Sequence, residues 1–219
     1  VSLMLINREP VDPLRKRLEK VEEQVKRGSA LTKQLLNLAS ENKYEKKKIN
    51  INELLRNSVQ LFIEAKKGIE INFALNSSIS PVEADQGQIE QVILNLLINA
   101  DHAMPDGGQI TLETTDIIIS ECDSKRFELN PGDYIKISIS DTGTGIDDET
   151  LKKIFEPFFT TKSGQGGTGL GLASAYGIIK NHGGLIKAYS KPGQGSTFTI
   201  YLPSASGTVE NENMLPAKN

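Results

Sequence analysis

The sequence predicts an α+β chain: a two-layer α/β sandwich with a mixed sheet, preceded by a long helix. Two observations carry this. Segments alternating apolar and polar residues take turns with segments of helical periodicity, without the regular βαβ spacing of a doubly wound parallel sheet. Ahead of them, Leu14, Leu18, Val21, Val25, Gly28, Thr32, Leu35 and Ala39 recur at steps of four and three with charges between, the seam of a helix of about seven turns.

The elements follow in chain order. Pro10-Val11-Asp12-Pro13 is a turn with proline at a helix entry, so the stretch before residue 9 is expected to fold back as an antiparallel partner. The opening VSLMLINREP has no initiating methionine and too little charge for a signal peptide, and the chain is expected to be a piece of a longer protein. The polar run Glu41 to Lys48 reads as a linker. Asn52 to Lys67 reads as an amphipathic helix through Leu54, Leu55, Val59, Leu61, Phe62 and Ala65, and Ile69 to Leu75 as a strand. Asp85 to Met104 is helical, with Ile89, Val92, Ile93, Leu96, Leu97 and Ala100 on its apolar side, and Pro105-Asp106-Gly107-Gly108 ends it. Strands are expected at Gln109 to Thr115, Tyr134 to Ser140, Leu185 to Ser190 and Thr197 to Leu202, with a helix from Leu170 to Asn181. The domains are then residues 1–45 (part of a helical hairpin), 46–203 (the sandwich) and 204–219 (a polar, flexible tail).

With 219 residues the chain has room for one ordinary domain plus a smaller element. A net charge of −3, from 25 basic and 28 acidic side chains, offers no global attraction to nucleic acid or to an anionic membrane. One cysteine, Cys122, excludes an internal disulfide framework and a cysteine-rich zinc site, and two histidines leave little for metal ligation. The longest apolar stretch, Val92 to Ala100, is half the length needed to cross a bilayer and is broken by two asparagines. The chain reads as intracellular.

Any charge signal is therefore local. No acidic residue lies between Glu156 and Glu210, while Lys162, Lys180, Lys187 and Lys191 fall inside that window. Between Gly132 and Gly195 lie 13 of the 19 glycines, backbone that can approach a ligand and point N–H groups at it. Phosphate is the natural ligand, although glycine-rich surface turns would share this composition. Gly164 to Gly169 fits G-x-G-x-x-G, but no strand precedes it and no acid follows at the required distance. The P-loop pattern fails at Leu170, where lysine is required. What remains is a glycine loop running into the helix from Leu170, whose N-terminus can hold negative charge.

A second glycine cluster, Asp141-Thr142-Gly143-Thr144-Gly145-Ile146, follows an apolar strand. Its carboxylate could accept from an exocyclic amine while the glycines let a flat ring lie against the backbone; an ordinary turn has the same composition. Asn95 and Asn99 sit four apart, on one face of their helix, among leucines and isoleucines. Buried amides need partners, and two in register could hold a hydrated Mg²⁺ and phosphate oxygens or cap neighbouring loops.

The ordered set QVILNLLINADHAM, DTGTGI, FEPFFTTK, GTGLGLA and GQGSTFTIYLP closely resembles the N, G1, F, G2 and G3 boxes of the ATP-binding catalytic domain of sensor histidine kinases. Residues 14–45 resemble the second helix of their dimerisation and phosphotransfer hairpin. The resemblance implies the Bergerat ATP-binding fold shared with DNA gyrase, mismatch-repair ATPases and heat-shock chaperones, among which the F box is particular to these kinases. By that resemblance Asn99 binds Mg²⁺ and Asn95 assists at the phosphates, Asp141 accepts from the adenine amine, Gly143, Gly145 and Ile146 line the base pocket, and Thr197 supports Asp141. Residues 157–169 form a lid over ATP, with Lys162 near the terminal phosphate and Gly167, Thr168, Gly169, Leu170 and Gly171 near the phosphate chain.

The implied chemistry is γ-phosphoryl transfer to a histidine, and from there to the aspartate of a response-regulator receiver domain. The intact protein is expected to be a homodimer through the hairpin, and this segment cytoplasmic, without nucleic-acid or membrane contact, even in a membrane-anchored parent. The acceptor histidine belongs upstream of Pro10, where residues 1–9 hold none, so the chain is expected to start inside its acceptor helix. His102 and His182 are expected to be structural or incidental. A rival reading is a hydrolytic ATPase of the same fold, which needs a general-base glutamate where this chain has Asn95. Another is an ATP-sensing scaffold that transfers nothing.

Overall fold

The computed structural model describes residues 45–65, 68–161 and 168–205. The heptad helix, residues 162–167 with Lys162 and Gly167, and the tail beyond 205 lie outside the described residues. In chain order the elements are β1 (Lys47–Ile49), α1 (Ile51–Ala65), β2 (Ile69–Leu75), β3 (Val82–Ala84), α2 (Gln86–Ala103), β4 (Gly108–Ile119), α3 (Glu121–Phe127), β5 (Gly132–Asp141), α4 (Asp148–Leu151), α5 (Gly171–Asn181), β6 (Leu185–Ser190) and β7 (Ser196–Pro203).

Five strands form one sheet in the order β2-β4-β5-β7-β6. The β2–β4 pair is parallel and the other three are antiparallel, so the sheet is mixed, as expected. A small antiparallel ribbon, β1 with β3, forms a second sheet, linked to the end of β7 by a bridge between Val82 and Ser204. The sequence alternation decides which face is covered. Ile135, Ile137 and Ile139 of β5 and Phe198, Ile200 and Leu202 of β7 share one face, and all are buried in the main core. Against them pack Leu54, Leu55, Val59 and Phe62 of α1, the apolar side of α2, and Ala175 and Ile179 of α5. Each fully buried leucine or isoleucine contributes about 1.5–3 kcal/mol. A smaller cluster on the far face joins Ile119, Tyr134 and Tyr201 to Leu129, with Phe127 edge-on to Tyr201 at 5.4 Å.

Helix α2 is the backbone of the site, and its ends are set by specific bonds. Asp85 caps its start, the carboxylate accepting from Gln88 N at 3.0 Å. The Asp85 N–H donates to Nε2 of buried His182 at 3.1 Å, and His182 Nδ1 lies 2.8 Å from the Ile178 carbonyl. The ring therefore carries its proton on Nδ1 and ties the end of α5 to the start of α2.

The structure departs from expectation at short elements. Lys47 and Lys48, assigned to a linker, belong to β1, whose pairing with β3 gives them a ladder. Strand β4 continues to Ile119 because β5 pairs with it along its whole length, from Ile110 opposite Asp141 to Ile119 opposite Gly132. Helices α3 and α4 were not anticipated; each is short and begins at a side-chain cap, Ser120 accepting from Asp123 N and Asp147 from Glu149 N and Thr150 N.

Candidate functional site

A cavity of about 380 Å³ opens between α2, the loop after β5, and the start of α5. Among the expected residues, Asn95, Asn99, Asp141, Gly145, Ile146, Thr168, Gly169 and Gly171 line it. The cavity has two chemically distinct ends.

At one end stands Asp141, at the last position of β5 and 7% exposed. Its Oδ1 accepts from the Gly143 N–H at 2.8 Å and from the Ser196 N–H at 3.3 Å. No described residue bonds Oδ2, which is left to accept from a ligand. Burial pushes the Asp141 carboxyl above its ordinary range, and the two N–H bonds pull against that shift. A buried acceptor of this kind discriminates sharply between a ligand that offers N–H and one that offers oxygen.

The loop that follows is held open by close packing. A Cβ on Gly143 would lie 2.6 Å from the Ala103 carbonyl oxygen and 2.8 Å from Asp141 Oδ1. Gly145 has φ +70°, and a Cβ there would strike the Lys191 carbonyl. The loop is clasped from both sides: Thr144 N donates to Ala103 O at 3.0 Å, and Gly193 N to Thr144 O at 2.7 Å. Phe198, Ile154 and Phe159 add apolar wall. This end suits a flat, largely apolar ring with one donor edge.

At the other end lie the amides. Asn95 Nδ2 donates to the Gly171 carbonyl at 3.1 Å, tying α2 to the first residue of α5 and fixing which end of the amide is oxygen. The Asn99 side chain has no hydrogen bond to a described residue and is available to a ligand. Helix α5 starts without a side-chain cap from Leu170, whose own N–H donates to Thr168 Oγ1 at 3.4 Å, and the N–H groups of Gly171 and Leu172 have no side-chain partner among the described residues at the cavity wall. Uncapped N–H groups, two amides and the hydroxyls of Thr160, Thr161 and Thr168 suit an anion such as a phosphate chain.

Three expected residues behave differently. Thr197 does not reach Asp141: its hydroxyl lies 2.9 Å from that of Ser140, on the opposite face of the sheet. Asp141 pairs with Ser196, and it is the backbone N–H of Ser196 that supports the carboxylate. Leu170 is fully buried beneath the site, and Gly143 acts on Asp141 rather than as cavity wall. Lys162 and Gly167 lie outside the described residues. His102, set aside in the sequence, lines the cavity one turn beyond Asn99. Its i+3 spacing from Asn99 was the available signal.

No group of three His, Cys, Asp or Glu among the described residues could hold a metal alone. The site fits a cation that keeps most of its waters and takes one amide oxygen together with ligand oxygens, which is the habit of Mg²⁺. Among the described residues no helix is long and apolar enough to cross a membrane.

A sandwich with a buried carboxylate at one end of a cavity and amides beside an uncapped helix start at the other defines an ATP-binding domain of the ATPase type. The chain belongs to the histidine kinase-, DNA gyrase B-, and HSP90-like ATPase family, whose model matches residues 84–206. It is 40% identical over 204 residues to sensor kinase CckA of Brucella abortus (strain 2308), covering 92% of this chain and 22% of that protein. Full-length ShkA in complex with AMPPNP superposes with a TM-score of 0.71 at 25% identity, over 94% of this chain and 42% of that one. Histidine kinase ThkA in complex with response regulator protein TrrA gives a TM-score of 0.69 at 28% identity, over 93% and 55%. The domain is thus a histidine kinase catalytic domain. The chain spans 22% to 36% of the length of the first curated relatives it matches.

Proposed function

We propose that this chain is the catalytic core of a sensor histidine kinase, binding Mg·ATP and passing the γ-phosphoryl group to a histidine for relay to a response-regulator aspartate. The observation that carries the reading is the cavity's polarity: a buried carboxylate with one open oxygen at one end, Asn95, Asn99 and the start of α5 at the other. Asp141 would accept from the adenine amine. Asn99 would take Mg²⁺ through its amide oxygen, with Asn95 and the N–H groups of Gly171 and Leu172 at the phosphates. By the family resemblance, Lys162 and Gly167, outside the described residues, would act on the phosphate chain. Mg²⁺ supplies neutralisation of phosphate charge, while the chain's own residues orient the nucleotide for in-line transfer.

The receiver-domain partner is supported by the ThkA complex with a response regulator. Homodimerisation through the hairpin and a cytoplasmic location rest on the family resemblance. The hydrolytic rival is disfavoured at Asn95, an amide that donates to Gly171 and cannot take a proton from water. Loss of a general base costs about 10²- to 10⁴-fold, so ATP hydrolysis by this chain should fall far below the roughly 1 s⁻¹ of slow ordinary enzymes. Two measurements test the reading: calorimetric titration of Mg·ATP and GTP into the chain, and transfer of labelled γ-phosphate to a histidine in the full-length protein. ATP binding no tighter than GTP, or hydrolysis near 1 s⁻¹, would sink it.

A further inference from the structure

Behind the base end of the cavity lies a hydroxyl network to which the site reading gives no task. Ser190, the last residue of β6, is 4% exposed and does not line the cavity. Its oxygen accepts from the Ile146 N–H at 2.8 Å, and its proton goes to the Gly195 carbonyl at 2.7 Å. Ser196 Oγ lies 3.0 Å from Ser190 Oγ, and since the Ser190 proton is already committed, Ser196 is the donor. One donor and two acceptor sites are thereby all used.

The partners of this hydroxyl decide its consequence. Ile146 belongs to the loop after β5 that walls the cavity, whereas Gly195 immediately precedes β7 and Ser196 opens it. The Ser196 N–H is one of the two bonds on Asp141 Oδ1, the other coming from Gly143. A single buried side chain therefore joins the loop that would receive the base to the backbone that orients the carboxylate.

We propose that Ser190 is a positioning residue for the base end: its hydroxyl holds the β5 loop and the Gly195–Ser196 turn in register, so that Asp141 keeps Oδ1 on the protein and presents Oδ2 to an exocyclic amine. The proposal rests on the reading of the cavity as an ATP site. Without the hydroxyl, the Ile146 N–H and the Gly195 carbonyl lose a buried partner, and the loop and turn are free to shift apart. The loss then falls on the amine contact more than on the phosphate end, which is built on α2 and α5.

The test compares Mg·ATP with purine riboside triphosphate, which is ATP without its exocyclic amine, by titration against the unmodified chain, Ser190→Ala and Ser190→Thr. In the unmodified chain, removing the amine is expected to weaken binding about tenfold or more, the worth of a hydrogen bond to a charged acceptor. In Ser190→Ala the same removal is expected to cost less than about threefold, with Ser190→Thr, which keeps a hydroxyl, restoring most of the difference. General destabilisation would weaken both nucleotides alike, so an unchanged amine penalty in Ser190→Ala overturns the proposal. Should Ser190→Ala fail to fold, Ser190→Cys keeps the volume with a weaker acceptor, and an unchanged amine penalty there overturns it equally. Unmodified chain that binds ATP without any amine penalty overturns the adenine role of Asp141 and this proposal with it. Absence of ATP binding overturns the nucleotide reading itself.

Discussion

Replacing Asp141 by Asn separates what this residue does for the fold from what it does for the site. Oδ1 accepts two backbone N–H groups, at 2.8 and 3.3 Å, so an amide in its place must put its oxygen there. Its NH₂ then occupies the position of Oδ2 and meets the adenine amine donor to donor. The lost charge-assisted bond alone amounts to about 1.5–3 kcal/mol, or roughly 10- to 150-fold in ATP affinity. Stability should respond in the opposite sense. Burial raises the Asp141 pKa, which means that at neutral pH the fold holds a carboxylate it would rather protonate, and removing the charge relieves that cost. Calorimetry and a thermal scan on the same preparation read both effects: Asp141→Asn should melt at or above the parent while ATP binding collapses. Binding within threefold of the parent, or a midpoint several degrees lower, would refute the reasoning.

The same carboxyl sets a pH dependence with a definite sign. Its folded-state pKa lies above the unfolded one, so the folded state takes up the proton first as pH falls, and the parent gains stability relative to Asp141→Asn between those two values. ATP affinity falls in that window, because protonation removes the open acceptor.

Three further perturbations probe the scaffold. Ser58 Oγ, wholly buried in α1 with no partner among the described residues, should make Ser58→Ala more stable by about 1 kcal/mol, read as a raised urea midpoint; a lowered midpoint would show the hydroxyl to be bonded. His182→Ala should cost about 2 kcal/mol or more by leaving Asp85 N–H and the Ile178 carbonyl without the ring, measured by chemical denaturation, and a loss under 0.5 kcal/mol would argue against the tie. Gly145→Ala forces a left-handed residue against the Lys191 carbonyl, at roughly 1–3 kcal/mol of strain, and should weaken ATP binding at least tenfold; retained affinity would place the base elsewhere.

How far the sequence could be read follows from what each element needs. Helices α1, α2 and α5 and strands β2, β5, β6 and β7 declare themselves because burial of one face demands a period, and six or more residues suffice to display it. Strands β1 and β3, three residues each, are too short to carry any period, and they exist through mutual pairing that local composition does not reveal. Helices α3 and α4 are polar and cap-driven, so hydrophobic periodicity passes over them. The far end of β4, past Thr115, is strand because β5 is beside it.

The error at Thr197 has the same origin and is more instructive. Residues paired across a strand ladder point to the same face, and a shift of one residue reverses the face. Asp141 is paired with Ser196, so the Thr197 hydroxyl is on the far side of the sheet with Ser140, while the Ser196 backbone reaches the carboxylate. Chain order alone cannot distinguish neighbours at 196 and 197; the register of β5 on β7 does. By contrast, Asn95 and Asn99 could be placed together from spacing, since one helix sets their geometry. The amide end of the cavity was therefore legible because it is built within α2 and at the start of α5. The carboxylate end was legible only in Asp141 and its glycines, because its supports, Ser190, Ser196 and the Gly195 carbonyl, are brought together by pairing between three strands.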